Sequence, residues 1–124
     1  MCSSDLICRE AGRDADSRRF RANIVVKAEA TIPFIEDGWV GGQLLFGAQE
    51  TGPIVSVTSR DLRCMMINLD PDTGEQDPNL MRAAVKLNEN HAGVYGTVVR
   101  AGEIRVGQPV SLLAETGGGR STIA

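Results

Sequence analysis

Residues 59–74 read Ser-Arg-Asp-Leu-Arg-Cys-Met-Met-Ile-Asn-Leu-Asp-Pro-Asp-Thr-Gly, and this stretch concentrates the chemistry of the chain. Cys64 opens a short apolar run after a charged segment, so we expect its sulfur where a loop enters a strand. The cationic neighbour Arg63 favours the thiolate, which is the form of cysteine that attacks substrates or binds soft metals. On the residues alone, a buried structural cysteine is the commoner alternative.

The stretch ends at residues 70–74, Asp-Pro-Asp-Thr-Gly, which is a turn sequence. Proline fixes φ at the second position, and glycine accepts a positive φ at the end. After the turn, Asp77 and Pro78 supply an N-cap and a first-turn proline for a helix. Apolar residues then recur at helical spacing, which predicts one clear helix near 78–90.

Short strands separated by turns predominate elsewhere. Val55 and Val57 alternate with polar neighbours, the period-two pattern of a half-buried strand. Trp39 stands between glycine-containing segments, where a lone tryptophan is typical of a packing anchor. We expect strands over 24–30, 43–46, 54–58, 94–100, 104–106 and a last one to Leu113. The predicted fold is therefore mainly β (α+β), with an antiparallel β-barrel and one helix.

Composition excludes several classes of function. The 124 residues are 42% hydrophobic and 23% charged, which fits one globular domain with a modest core. A net charge of −3 gives no basic surface for nucleic acid, so DNA and RNA are excluded as main partners. No apolar run is long enough to cross a bilayer, and the first residues lack a signal-peptide pattern. We expect a cytoplasmic protein with no membrane partner.

The cysteines favour reduced thiols over a disulfide framework, because there are three of them at wide spacing. A zinc site would need Cys2, Cys8, Cys64 and His91 together. We disfavour it because the spacing of Cys2 and Cys8 is not that of a zinc finger.

Segments on both sides of residues 59–74, the central stretch, complete a family resemblance. They are residues 19–24 (Arg-Phe-Arg-Ala-Asn-Ile), 36–41 (Glu-Asp-Gly-Trp-Val-Gly), 94–96 (Val-Tyr-Gly) and 102–110 (Gly-Glu-Ile-Arg-Val-Gly-Gln-Pro-Val). With residues 63–74, they resemble MOSC domains, the module named after the C-terminal domain of molybdenum cofactor sulfurase. The resemblance implies a MOSC-type barrel over 18–114, after a polar, partly ordered segment over 1–17 and before a flexible tail over 115–124.

The resemblance also implies a cofactor and the residues that hold it. The molybdenum cofactor is a metal bound by the dithiolene of a pterin that ends in phosphate. By position, Cys64 is the catalytic residue and molybdenum ligand, as in the family branch that reduces N-hydroxylated compounds. Arg19 and Arg21 carry over as cofactor-binding donors suited to phosphate, Asn23 as a pterin contact, and Arg63 as a cofactor-pocket residue.

This chain departs from the pattern at Asp61, where many family members have a second cysteine. A carboxylate does not replace a thiolate as a soft ligand, so functions that depend on a second thiol are not expected here.

The function implied by the resemblance is reduction of N-hydroxylated small molecules with electrons from a partner redox protein. The alternative is a cofactor or sulfur carrier without turnover of its own. Pyridoxal phosphate belongs to a separate sulfurase domain in another branch, and it is not expected on this chain. Many members carry an N-terminal portion that helps build the site, so we expect this chain to be an N-terminally truncated member.

Overall fold

The computed structural model describes residues 3–28, 32–113 and 120–123, the last four by their backbone alone. Its strands are β1 (Val26–Ala28), β2 (Gln43–Phe46), β3 (Ile54–Leu62), β4 (His91–Arg100), β5 (Pro109–Leu112) and β6 (Arg120–Ile123). They form one antiparallel sheet in the order β1-β6-β5-β2-β3-β4. The fold is therefore mixed α+β with a single sheet.

The predicted closed barrel is wrong. Strands β1 and β4 stand at opposite ends of the sheet and do not pair with each other in the described residues. Closure requires a consistent tilt and stagger of all strands. Turn signals in the sequence mark where strands end, but they do not say whether the first and last strands meet.

The strand predicted around residues 104–106 is also absent. Its backbone instead enters a turn, in which Gln108 donates its N–H to the Arg105 carbonyl at 3.1 Å. The Gln108 side-chain carbonyl accepts the Arg105 N–H, also at 3.1 Å. The predicted tail over 115–124 falls mostly on residues 115–119 and 124, which are outside the described residues, while Arg120–Ile123 form β6.

Within the described residues, two α-helices accompany the sheet. The predicted helix is confirmed as α2 (Asn79–Asn88), and a further helix, α1 (Ser3–Glu10), precedes it in the chain. Gly12 ends α1 with a φ of +77°, a conformation that glycine adopts at little cost. None of the helices in the described part of the chain is long and apolar enough to span a bilayer.

Most of the buried apolar side chains in the described residues belong to two clusters. The helical cluster joins α1 and α2 to the chain around Phe20, and it contains Ile7, Cys8, Phe20, Ile67, Leu80, Ala83, Ala84 and Ala92. The sheet cluster lies on β2, β3 and β5, and it contains Leu44, Phe46, Val57 and Val110. Trp39 packs against the sheet cluster, as expected of a packing anchor.

The turn at residues 70–74 folds as its sequence predicts. One carboxylate oxygen of Asp70 accepts the N–H groups of Asp72 and Thr73 at 2.8 and 3.0 Å. These bonds lower the pKa of Asp70. Gly74 adopts a φ of +75° and donates its N–H to the Asp70 carbonyl at 2.8 Å. The central stretch is thus held as a compact loop before α2 begins.

Asp77→Ala is expected to lower the free energy of unfolding by about 1 kcal/mol, the usual cost of losing a helix cap. Its carboxylate accepts the Asn79 N–H at 3.0 Å and pairs with Arg13 at 2.6 Å. Arg13 first, and the Asn79 N–H second, lower the pKa of Asp77. A lowered pKa means that this stabilisation is present at neutral pH and is lost as the pH falls through the lowered value.

Urea unfolding at neutral and acidic pH would measure the effect of Asp77→Ala. The difference from the native protein should shrink as the pH falls, because Asp77 becomes protonated in both states. An equal difference at every pH would contradict a role for the Asp77 charge.

Candidate functional site

A pocket of about 460 Å³ lies against residues of both clusters. This volume is within the range of small-molecule sites. Apolar side chains make up much of its wall, among them Phe20, Phe34, Trp39 and Val57. Its ionisable and amide groups are Arg21, Asn23, Glu36, Asp61, Arg63 and Tyr95. The arrangement is that of an apolar cleft with a few polar groups that can orient a ligand.

Arg21 and Asn23 reach this pocket because of a local backbone turn. A 3₁₀ turn over Ser17–Phe20 ends at Arg21, which adopts a left-handed φ of 53°. The Arg21 N–H closes this turn onto the Arg18 carbonyl at 3.2 Å. Within the described residues, the side chains of Arg21 and Asn23 make no hydrogen bond or ion pair with the protein. Both are therefore available to a ligand, and their role in binding the cofactor stays a prediction.

Arg63 lines the same pocket, but its guanidinium is largely used by the protein. Nε and Nη2 donate to the Ala92 carbonyl at 2.9 and 2.7 Å, and Nη1 donates to the Phe20 carbonyl at 2.7 Å. Nη2 also pairs with Asp61 at 2.8 Å, and the guanidinium lies 5.1 Å from the centre of the Phe20 ring. Arg63 thus ties three segments of the pocket wall together.

Asp61 and Tyr95 line the pocket, although the sequence analysis did not predict them as site residues. The Tyr95 hydroxyl hydrogen-bonds to Asp61, and this bond is the main reason that the pKa of Tyr95 is raised. The negative charge of Asp61 adds to the rise. Asp61 therefore lies between Arg63 and Tyr95. In the sequence, Tyr95 appeared only within the Val-Tyr-Gly segment, and Asp61 only as a departure from the family pattern.

Cys64 is exposed, so the alternative of a buried structural cysteine does not apply. The expected position at the start of a strand is wrong, because Cys64 comes just after β3 ends at Leu62 and directly precedes a 3₁₀ turn over Met65–Asn68. The backbone of Arg63 is fixed on both sides, since its N–H donates to the Asn90 carbonyl and its carbonyl accepts from the Asn90 side chain. Cys64 is not part of the pocket wall, but it directly follows the wall residue Arg63 in the chain.

Arg19 is placed differently from the other predicted site residues. Its side chain is only 4% exposed, and it donates to the carbonyls of Ile67 and Asn68 at 3.3 and 3.4 Å. It also pairs with Asp70 at 3.5 Å. Arg19 therefore holds residues 67–70 of the central stretch in place and does not line the pocket. Arg21, Asn23 and Arg63 come together in the pocket, Cys64 lies close by, and Arg19 is separate.

The model of the MOSC domain matches residues 3–111. This chain belongs to the MOSC domain family. Over 90 residues, which are 73% of the chain, it is 36% identical to proteins named molybdenum cofactor sulfurase from Caenorhabditis briggsae and Caenorhabditis elegans. The matched region covers 12% of the length of each of these curated relatives. The names of these two relatives refer to the molybdenum cofactor.

The residues of this MOSC domain fit such a cofactor. A phosphate needs a cation, and Arg21 has a guanidinium without a protein partner in the described residues. A planar pterin suits apolar walls, and Asn23 has an amide that can both donate and accept. A thiol is the kind of soft ligand that binds a transition metal, and Cys64 is exposed near the pocket.

Cys64 is expected to react with iodoacetamide much faster than Cys8. Cys8 is fully buried in the helical cluster, and burial raises the pKa of its thiol, which lowers the fraction of reactive thiolate. Cys64 is exposed. Timed alkylation of the native MOSC domain, followed by peptide mapping, measures both rates. Faster labelling of Cys8 without denaturant would contradict the described burial.

Proposed function

We propose that this chain is a molybdenum-cofactor-binding module of the MOSC type, which holds the cofactor for delivery or for sulfur transfer. The observation that carries the proposal is the convergence of Arg21, Asn23 and Arg63 on one pocket of small-molecule size. The names of the two curated relatives favour the carrier alternative over a reductase. The cytoplasmic location, which was predicted from the lack of a membrane-crossing run and of a signal-peptide pattern, is part of the same proposal.

Each residue has a separate task in this module. Arg21 binds the phosphate, because guanidinium groups match anionic oxygens in bidentate geometry. Asn23 hydrogen-bonds the pterin, and the apolar wall excludes water from one face of it. Arg63 keeps the wall in shape through Phe20 and Ala92. Cys64 supplies a thiolate at the edge of the pocket, as a metal ligand or as a sulfur carrier.

Reduction of N-hydroxylated compounds is the second candidate function. It is favoured by the exposure of Cys64, since a metal bound there would remain accessible to a small-molecule substrate. The bound cofactor would supply a metal that changes oxidation state. The electrons would come from a partner redox protein.

The proposal is tested on protein purified from cells that synthesise the molybdenum cofactor. The native chain is expected to carry both pterin and molybdenum. Cys64→Ser should keep most of the pterin and lose much of the molybdenum, because a hydroxyl is a harder and less acidic ligand than a thiol. Met65→Ser is the matched control, since Met65 is an exposed neighbour of Cys64.

One result would contradict the proposal, and another would distinguish the carrier from the reductase. Folded native protein without pterin or molybdenum would contradict cofactor binding altogether. The loaded protein is then mixed with an amidoxime and a chemical reductant. Sustained formation of the amidine would favour the reductase over the carrier, and its absence would favour the carrier.

A further inference from the structure

Two arginines and two carboxylates line the pocket, and one of each is already used by the protein. Arg63 and Asp61 pair with each other at 2.8 Å, and each has further partners among the wall residues. Arg21 and Glu36 have no such pairing within the described residues. The pocket therefore offers a ligand one unpaired cation and one unpaired carboxylate.

Glu36 is held so that one of its oxygens remains available. It lies in the first turn of a 3₁₀ helix over Ile35–Trp39. Its Oε1 accepts the Ser3 hydroxyl at 2.7 Å and the Gly93 N–H at 3.1 Å. These donors come from α1 and β4, so the carboxylate is fixed from two sides. In the described part of the chain, Oε2 makes no hydrogen bond or ion pair.

We propose that Glu36 recognises the exocyclic amino group of a 2-amino-4-oxopyrimidine ring, the ring that pterins share with guanine. The proposal rests on the proposed cofactor-binding function. Glu36 is half-buried, and a carboxylate only accepts hydrogen bonds, so a ligand that covers Oε2 has to present a donor to it. The amino group and the neighbouring ring N–H form a donor edge of that kind.

The same carboxylate orients the ligand. A phosphate is repelled by Glu36 and attracted by Arg21, so the two residues distinguish the anionic end of a pterin cofactor from its ring end. Burial of an unpaired carboxylate is unfavourable, which penalises any ligand that places an acceptor against it. Glu36 therefore determines which ligand the pocket prefers, and this role is distinct from those of Cys64 and Arg63.

The test is a fluorescence titration of the purified full chain with pterin, lumazine and guanosine monophosphate. Lumazine is pterin with the 2-amino group replaced by a carbonyl oxygen. The native chain should bind pterin about 10- to 100-fold more tightly than lumazine, the ratio expected for a hydrogen bond to a charged group. Guanosine is titrated as well, because Arg21 also attracts the phosphate of guanosine monophosphate. A tighter complex with pterin than with guanosine assigns the ring to a pterin, and the reverse assigns it to a guanine.

Glu36→Gln is the informative variant. The amide oxygen of glutamine can still accept from Ser3 and Gly93, while the other position becomes a donor that faces the ligand's amino group. The preference for pterin over lumazine should disappear or reverse. Glu103→Gln is the matched control, because Glu103 is 89% exposed and lies outside the pocket. Thermal unfolding checks that both variants are folded.

An equal affinity of the native chain for pterin and lumazine, or no binding of either, would overturn the inference without any variant. An unchanged preference in folded Glu36→Gln would overturn it as well. These failures are distinct from failure of the proposed function. If the native chain and Glu36→Gln purify with equal contents of pterin and molybdenum, the result supports cofactor binding and contradicts the role of Glu36.

Discussion

Arg63→Met is expected to lower the free energy of unfolding by about 3–5 kcal/mol, the range observed when one partner of a buried ion pair is removed. The side chains of Arg63 and Asp61 are only 11% and 15% exposed. The substitution leaves Asp61 without its cation, and it deprives the carbonyls of Phe20 and Ala92 of their donors. Urea unfolding monitored by circular dichroism measures the loss.

Two further variants show where this loss comes from. Arg105→Met should change the free energy of unfolding by less than about 0.5 kcal/mol, because Arg105 is 82% exposed and pairs loosely with Glu103 at 3.8 Å. Adding Asp61→Asn to Arg63→Met should recover part of the loss, since the unpaired charge is removed. If Arg63→Met lowers the free energy of unfolding by less than about 1 kcal/mol, the contacts of Arg63 with Asp61, Phe20 and Ala92 contribute little to stability.

Arg21→Ala is expected to weaken retention of the cofactor about 10- to 100-fold while leaving stability nearly unchanged. Loss of charge-assisted hydrogen bonds to phosphate accounts for the weaker binding. The Arg21 side chain makes no hydrogen bond or ion pair with the described residues, so its removal breaks no internal contact. Arg21→Lys should give an intermediate result, because lysine keeps the charge but loses the planar fork.

Equal cofactor retention by Arg21→Ala and the native protein would contradict the phosphate contact. A large loss of stability in Arg21→Ala would also contradict it, since the effect on retention would then follow from unfolding. The contrast with Arg63 is therefore informative. Replacement of Arg63 is expected to lower the stability of the fold, whereas replacement of Arg21 is expected to weaken cofactor retention alone.

Elements encoded by local sequence were predictable. The turn at residues 70–74 follows from its proline, glycine and aspartate residues, and α2 follows from an apolar stripe behind Asp77 and Pro78. β3 follows from the alternation at Val55 and Val57, although it runs further than expected, to Leu62. Each of these signals lies within a few residues of the structure that it forms.

Features that depend on distant contacts were not predictable. Arg19 and Arg21 are two residues apart in one motif, yet the left-handed backbone at Arg21 sends them to different environments. Glu36 owes its orientation to Gly93, which is 57 residues away in sequence. Asp61 appeared only as a missing cysteine, because its pairing with Tyr95 depends on how β3 meets β4.

The central claim is that the pocket containing Arg21 binds the molybdenum cofactor. Its most direct test is the pterin and molybdenum content per chain of native protein, Arg21→Ala and Arg105→Ala, all purified from cells that make the cofactor. We expect both components in native protein and in Arg105→Ala, and little of either in Arg21→Ala. Folded native protein without pterin or molybdenum, or equal contents in all three proteins, would contradict the claim.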